Sequence, residues 1–335
     1  MTPLLHLQDL SVDLPLGGLF SRGKALNILA GITLDLPRGQ TLGLVGESGS
    51  GKTTLARAIL GLQPSSGTML FDGKPLASRS DYRAIRRRSA LMFQDAAASL
   101  SPRMNVEQAI TEPFTIHREP MGRRRDRAAE LLAEVGLPAA FAARFPHELS
   151  GGQARRVGVA RALALKPELV IADEPTAGLD VSVQADILNL MADLKERHGL
   201  SYLVITHNLA LIRHVADRIA VLYLGRLVET GPTAEIFAVP AHPYTQSLIA
   251  AEPKPDPRKR RADLAIQGEI PGVLRRPRAC EFHTRCPLAQ EICRQDEPVL
   301  RTIAPGRQAR CHLIEEKTLN RETTDELDHQ SPQLS

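Results

Sequence analysis

Nowhere do the 335 residues run to 18 uninterrupted apolar positions, so no membrane-spanning helix is expected. The start, Met1 to Asp9, has no basic segment ahead of an apolar core and carries an acid at Asp9. It does not read as a secretion signal, and the cytoplasm is the expected compartment. Aromatic residues make up only 4% of the chain. Few of them interleave the basic clusters Arg86-Arg87-Arg88, Arg123-Arg124-Arg125 and Arg258-Lys259-Arg260-Arg261. These clusters therefore read as solvated or hinge charges rather than a base-stacking groove, and no nucleic-acid partner is expected. A net charge of +4 demands neither nucleic acid nor an anionic membrane. Internal repeats and heptad runs are also missing. What remains is an ordinary soluble composition, long enough for one α/β domain and a smaller appendage.

Residues 4–14 and 27–36 alternate apolar and polar types, as antiparallel strands do, with a Gly-containing loop from Pro15 to Lys24 between them. Gln40–Val45 is a short apolar run opening into a Gly-rich loop, and Lys52–Leu60 has helical spacing. Residues 95–149 hold fewer β-branched residues and more Ala, Glu and Arg, which predicts a mainly helical insertion. Ser150 is placed as the N-cap of a helix running to Lys166. Strand-like runs at 168–173 and 201–206, with a helix between, predict parallel strands. The expected plan is a nucleotide domain over 1–250, a Pro-rich linker over 251–270, a four-cysteine domain over 271–314 and a disordered polar tail over 315–335.

Five motifs follow in order: Gly46-Glu47-Ser48-Gly49-Ser50-Gly51-Lys52-Thr53, then Gln94, Leu149-Ser150-Gly151-Gly152-Gln153, Leu169-Val170-Ile171-Ala172-Asp173-Glu174, and His207. In the first, which runs on into Thr54, glycines let backbone N–H groups point at phosphate oxygens, and the following helix adds its positive end. Lys52 supplies charge to the β and γ phosphates of ATP, and the Thr53 hydroxyl can bind Mg²⁺. Asp173 ends a buried strand, at the sheet edge where open α/β folds bind ligands, and can hold the Mg²⁺ shell. Glu174 is the candidate for polarising the attacking water. His207 follows the apolar strand Tyr202–Thr206 and emerges at the same edge, within reach of the γ-phosphate. Ser150-Gly151-Gly152 is a second phosphate-binding device at the head of its own helix.

That last motif, ahead of Asp173-Glu174 in the same chain, resembles the ATP-binding subunits of ABC transporters. The resemblance implies a P-loop α/β fold with an antiparallel β subdomain and a helical insertion. It also implies a head-to-tail pair of ATPases with each ATP between the Gly-rich loop of one subunit and the Ser-Gly-Gly segment of the other. Gln94 would contact Mg²⁺ and sense the γ-phosphate, Asp180 would communicate across the dimer, and the insertion would touch a membrane-embedded partner. This chain departs from the family near the first strand, where Ser11-Val12-Asp13-Leu14-Pro15 offers no aromatic to stack on adenine. Leu14 or Phe20 would serve instead.

All four cysteines, Cys280, Cys286, Cys293 and Cys311, fall within the last quarter of the chain. Disulfides conflict with a cytoplasmic ATPase, and buried thiols alone leave the clustering unexplained, so metal binding is expected. Zinc sites commonly use a closer Cys-x2-4-Cys knuckle, and four thiolates also suit a [4Fe–4S] cluster. The run Cys280-Glu281-Phe282-His283-Thr284-Arg285-Cys286-Pro287, with the later Cys293 and Cys311-His312, resembles the C-terminal extension of dipeptide and oligopeptide importer ATPases. Phe93-Gln94-Asp95, Ala98-Ser99-Leu100-Ser101-Pro102-Arg103 and Ala241-His242-Pro243-Tyr244-Thr245 extend the likeness. It implies an iron–sulfur cluster, with zinc as the alternative.

The expected function is the ATP-hydrolysing subunit of an importer for peptides or a related solute, peripheral on the cytoplasmic face of the membrane. Its partners would be two integral-membrane permeases, a second ATPase (a different chain or a copy of this one) and, indirectly, an extracytoplasmic binding protein. Nickel or another metal chelate is an alternative solute. A soluble ABC ATPase acting on ribosomes or nucleic acid is the reading from another class.

Overall fold

A computed structural model describes residues 2–15, 25–93, 95, 98–251, 268, 271–272 and 275–314. Phe20, Gln94, the linker over 252–267 and the tail over 315–335 lie outside the described residues.

The alternating segments form β1 (Leu5–Pro15) and β2 (Ala25–Leu36), which pair antiparallel. Leu5 and Leu7 point inward, as do Leu10 and Val12. The parity changes between the two pairs because the β1–β2 register slips between Leu7 and Leu10. Asp9 lies in that slip at φ 51°, the local signature of a bulge. After β3 (Thr41–Val45) and α1 (Lys52–Ile59), β4 (Ser66–Phe71) and β5 (Lys74–Pro75) complete this sheet in the order β2-β1-β4-β5. Next come α2 (Arg79–Arg88), capped by Ser78 and Asp81, and β6 (Ser89–Met92).

The insertion is helical. It holds α3 (Val106–His117) and α4 (Arg124–Glu134) and leads into α5 (Gly151–Leu163). Asn105 and Gln108 make a reciprocal cap at the start of α3, which satisfies backbone donors left over at a helix start. The chain then runs through β7 (Leu169–Asp173), α6 (Val181–His198), β8 (Ser201–Thr206), α7 (Leu209–Val215), β9 (Arg218–Tyr223) and β10 (Arg226–Pro232). It continues with α8 (Thr233–Ala238), α9 (Pro243–Ala250), α10 (Ile292–Gln295), β11 (Arg301–Ala304) and β12 (Arg307–Ala309).

The main sheet has the order β11-β12-β10-β9-β3-β8-β7-β6. Its centre, from β9 to β6, is parallel and is covered on both faces, as parallel sheets require. Val45, Val170, Ala172, Tyr202, Val204 and Val221 pack against the helical side, while Leu42, Leu44, Ile171, Leu203 and Ile205 pack against α1 and the antiparallel sheet. Alternate residues of each strand thus serve two cores.

The segment holding the cysteines is joined to this sheet. β12 pairs with β10, matching Glu229 to Ala309 and Thr230 to Gln308. Phe282 is buried between Tyr223 and Tyr244, with ring centroids 5.2 and 5.4 Å away. Glu229, with no exposed surface, accepts from Arg307 at 2.8 Å and from the amides of Ala241 and His242 at 2.9 Å each. A buried carboxylate with this many donors is satisfied. Part of one basic cluster also has an internal role: Arg88, with Arg38, binds Asp72 and Glu168.

Candidate functional site

Parallel pairing brings the strand ends to one edge. Val45 lies opposite Thr206, and Asp173 opposite Ile205. The loop after β3, the acids after β7 and His207 after β8 therefore emerge together, as the strand-loop-helix pattern predicts.

Gly46 takes φ 155°, and a Cβ there would fall 2.2 Å from the Leu222 carbonyl oxygen, so only glycine fits. Gly51, at φ 102°, is the left-handed N-cap of α1. Ser50 is buried, Ser48 and Gly49 face solvent, and Thr54 is half-buried on α1. The Lys52 ammonium curls over the loop, donating to the carbonyls of Gly46 at 2.7 Å and Glu47 at 2.8 Å. Burial lowers its pKa, and the carboxylates of Glu174, Asp173 and Glu47 act in the opposite sense. The Thr53 hydroxyl donates to Asp173 Oδ2 at 2.8 Å, so the two oxygens expected to serve Mg²⁺ are already adjacent. Burial raises the Asp173 pKa, and the Thr53 hydrogen bond lowers it. An oxygen pair at a strand end, beside a buried ammonium, fits a magnesium–phosphate unit by donor chemistry.

Glu174 sits at φ 48°, a left-handed conformation unusual outside glycine. Its carboxylate is fixed from three directions. Thr206 Oγ1 donates to Oε2 at 3.0 Å, the His207 amide donates to Oε1 at 3.2 Å, and His207 Nδ1 lies 2.7 Å from Oε1. His207 is mostly exposed and Glu174 mostly covered. A carboxylate held this firmly can orient a water without reorganising, and an exposed imidazole beside it can meet a phosphate oxygen.

Ser150 Oγ accepts from the Gln153 amide at 3.3 Å, and Gln153 Oε1 accepts from the Ser150 amide at 3.0 Å. The start of α5 is therefore locked by a reciprocal cap while Ser150 and Gly151 face solvent. A Cβ on Gly152 would fall 2.9 Å from Val183 Cγ1 on α6, which ties this segment to the chain following Asp180.

Sequence reasoning missed several residues that support the site. Thr206 is one, although its place directly before His207 was visible. Arg155 is another: from α5 it donates to the carbonyls of Phe93 and Ala177 at 3.1 Å each, bridging the residue before Gln94 and the turn after Glu174. Arg285 and Tyr244 reach Glu47 from far along the chain. Leu14 is half-buried at the end of β1.

None of the four cysteines is in a disulfide. Cys280 donates its amide to the Cys293 carbonyl at 3.2 Å. Burial pushes the Cys280 thiol up to about 12, with Cys293 and Cys311 adding to the shift. Four soft donors in one segment suit a metal by chemistry, but their placement does not match: among the described residues no three His, Cys, Asp or Glu side chains gather closely enough to hold an ion. The expected ligand set is therefore not formed in this arrangement.

The ABC transporter family matches residues 29–177, and the oligopeptide/dipeptide transporter C-terminal region matches residues 228–293. The oligopeptide transport ATP-binding protein AppF of Bacillus subtilis is 42% identical over 319 residues, covering 92% of this chain and 97% of its own length. A probable peptide ABC transporter ATP-binding protein, y4tS of Sinorhizobium fredii, is 44% identical, covering 92% of this chain and 90% of its own. Among solved structures, CbiO1 of Clostridium perfringens, part of the ABC transporter complex cbiONQ, aligns with a TM-score of 0.63 at 28% identity, over 71% of this chain and 92% of that one. The ATP-binding cassette MJ0796, in a dimeric post-hydrolysis state bound to ADP and Pi, aligns with a TM-score of 0.61 at 29% identity, over 68% of this chain and 98% of that one. With its phosphate loop, paired acids and capped Ser-Gly-Gly helix on this fold, the chain belongs to the ATPases of the ABC transporter family, in the oligopeptide/dipeptide transporter branch.

Proposed function

We propose that this chain is the energy-coupling subunit of an importer for peptides or a chemically related small solute, working at the cytoplasmic face of a membrane. The observation that carries the reading is the division of the ATP machinery. Lys52, Thr53, Asp173, Glu174 and His207 meet at one sheet edge, while the capped Ser150 terminus heads a different helix and faces solvent. A second ATPase subunit supplies the missing half of each ATP site, and ATP joins the two until hydrolysis releases them. The dimeric state named for MJ0796 supports this pairing, and the peptide-import names of AppF and y4tS support the solute class. Among the described residues no helix is long and apolar enough to cross a membrane; in this reading two permease subunits provide the path, and a binding protein outside delivers the solute.

In hydrolysis, the Gly-rich loop and Lys52 would hold the phosphates, and Thr53 and Asp173 would hold Mg²⁺, whose charge would offset that of the phosphates. Glu174, braced by Thr206, would orient the water, and His207 would meet the γ-phosphate; Gln94, the other residue expected to sense that phosphate, lies outside the described residues. By number and common segment the four cysteines suit a [4Fe–4S] cluster, or zinc, but they would have to close in around it, since no such ligand set is formed among the described residues; no step of hydrolysis runs through them.

The test is Glu174→Gln, expressed in the native host and purified with ATP present. Slowed hydrolysis holds the closed dimer, and integral-membrane permeases with a second ATPase are expected to copurify. Ribosomes or nucleic acid without a permease would contradict the importer reading.

A further inference from the structure

The cysteine-bearing segment touches the phosphate loop directly. Arg285 is almost wholly buried, and its two terminal nitrogens meet the two carboxylate oxygens of Glu47 at 2.7 and 2.9 Å. This is the fork-to-fork geometry that gives arginine–carboxylate pairs their orientation. Arg285 also reaches Tyr223 Oη at 3.4 Å. The neighbouring Tyr244 hydroxyl accepts the Glu47 amide at 2.9 Å. The Glu47 carbonyl, in turn, accepts from Lys52 at 2.8 Å and from the Ser50 amide at 3.2 Å. Every polar group of Glu47 is therefore held, and two of its holders lie beyond residue 240.

The support behind this clamp is packed and cross-linked by polar contacts. Phe282 wedges between Tyr223 and Tyr244. Arg226 of β10 binds both Glu281 and Glu297, and Arg276 donates to the Asn27 side chain at 2.9 Å and its carbonyl at 2.8 Å.

We propose that Arg285 is a positioning residue for ATP: its two-point pairing with Glu47 holds the phosphate loop in its binding shape and neutralises a carboxylate carried on that loop. The segment after residue 270 thereby sets the affinity of the ATP site in its own chain. Two physical effects combine. A loop whose amides must converge on phosphates loses affinity when its conformers multiply. A carboxylate next to the ammonium that meets the β and γ phosphates also repels the triphosphate unless a cation balances it. The inference rests on the assignment of residues 46–53 as the phosphate loop.

The experiment is equilibrium binding of a fluorescent ATP analogue, with Mg²⁺, to the full-length chain. Arg285→Met is expected to weaken binding about tenfold or more. Adding Glu47→Gln to it removes the unpaired charge, and the double variant is expected to bind several-fold more tightly than Arg285→Met alone. A merely structural arginine gives no such rescue. If Arg285→Met is not recovered folded, Arg285→Lys carries the test: it keeps the charge, loses the fork and is expected to bind about threefold more weakly. Wild-type affinity in the Arg285 variants, or a double variant no better than the single, would overturn the proposal. Lys52→Ala run alongside separates the two assignments, since wild-type binding by that variant would mean that the loop itself is misassigned.

Discussion

His242 gives the clearest link between burial and behaviour. It is 2% exposed, and Nδ1 accepts the Tyr244 amide at 3.0 Å, capping α9. Burial pushes its pKa down to about 3; a backbone hydrogen bond with Arg310 opposes the shift and the Arg310 charge adds to it. A proton on Nδ1 would turn the helix cap from acceptor to donor, against another donor. The folded chain therefore keeps this imidazole neutral, whereas the unfolded chain protonates it near pH 6.5. Below that value the unfolded state binds more protons, so stability present above pH 6.5 is lost as pH falls toward 3. At pH 5 the loss from this one group is about 2 kcal/mol. His242→Asn keeps a capping acceptor but does not titrate. Urea unfolding at pH 7.5 and pH 5 should show the wild type losing about 2 kcal/mol more than His242→Asn over that interval. Because α9 carries Tyr244, ATP affinity should weaken with stability. Equal losses in the two proteins would refute the assignment of His242 as a buried neutral base.

Two further outcomes are expected. Gly152→Val places bulk where even a Cβ would meet Val183 Cγ1 at 2.9 Å; steady-state ATPase activity should fall more than tenfold while ATP affinity of the single subunit, measured by equilibrium binding, stays within about twofold. Metal analysis of anaerobically purified protein should find iron, or zinc as the alternative, and Cys311→Ser should lose it; identical metal content in the two would remove the cysteine proposal.

What was legible in the sequence was local. Alternation marked β1 and β2, the Gly-rich run marked the turn into α1, and apolar runs ending in Asp173 and Thr206 marked the strand ends that assemble the site. The helix from Ser150 was expected to reach Lys166 but ends at Leu163; Lys166 turns left-handed at φ 52°, and Pro167 follows. Long-range partners were not legible. Arg285 and Glu47 are 238 residues apart and Tyr244 and Glu47 197 apart, and no periodicity links such pairs. The short β11 and β12 carry too few residues for a pattern; β12 is set beside β10 by tertiary contacts around Arg307 and Glu229, and β11 pairs with β12. The cysteine spacing announced a cluster of donors, whereas the fold used the same segment to pack Phe282 and anchor Arg285.

The most direct test of the central claim is uptake of a labelled peptide by cells whose only copy of this chain is wild type or Lys52→Ala. Lys52 is buried against the carbonyls of Gly46 and Glu47 in the Gly-rich loop, so its loss should abolish uptake while the subunit is still made at normal levels. Undiminished peptide uptake with Lys52→Ala would contradict the claim that ATP hydrolysis at this site drives import.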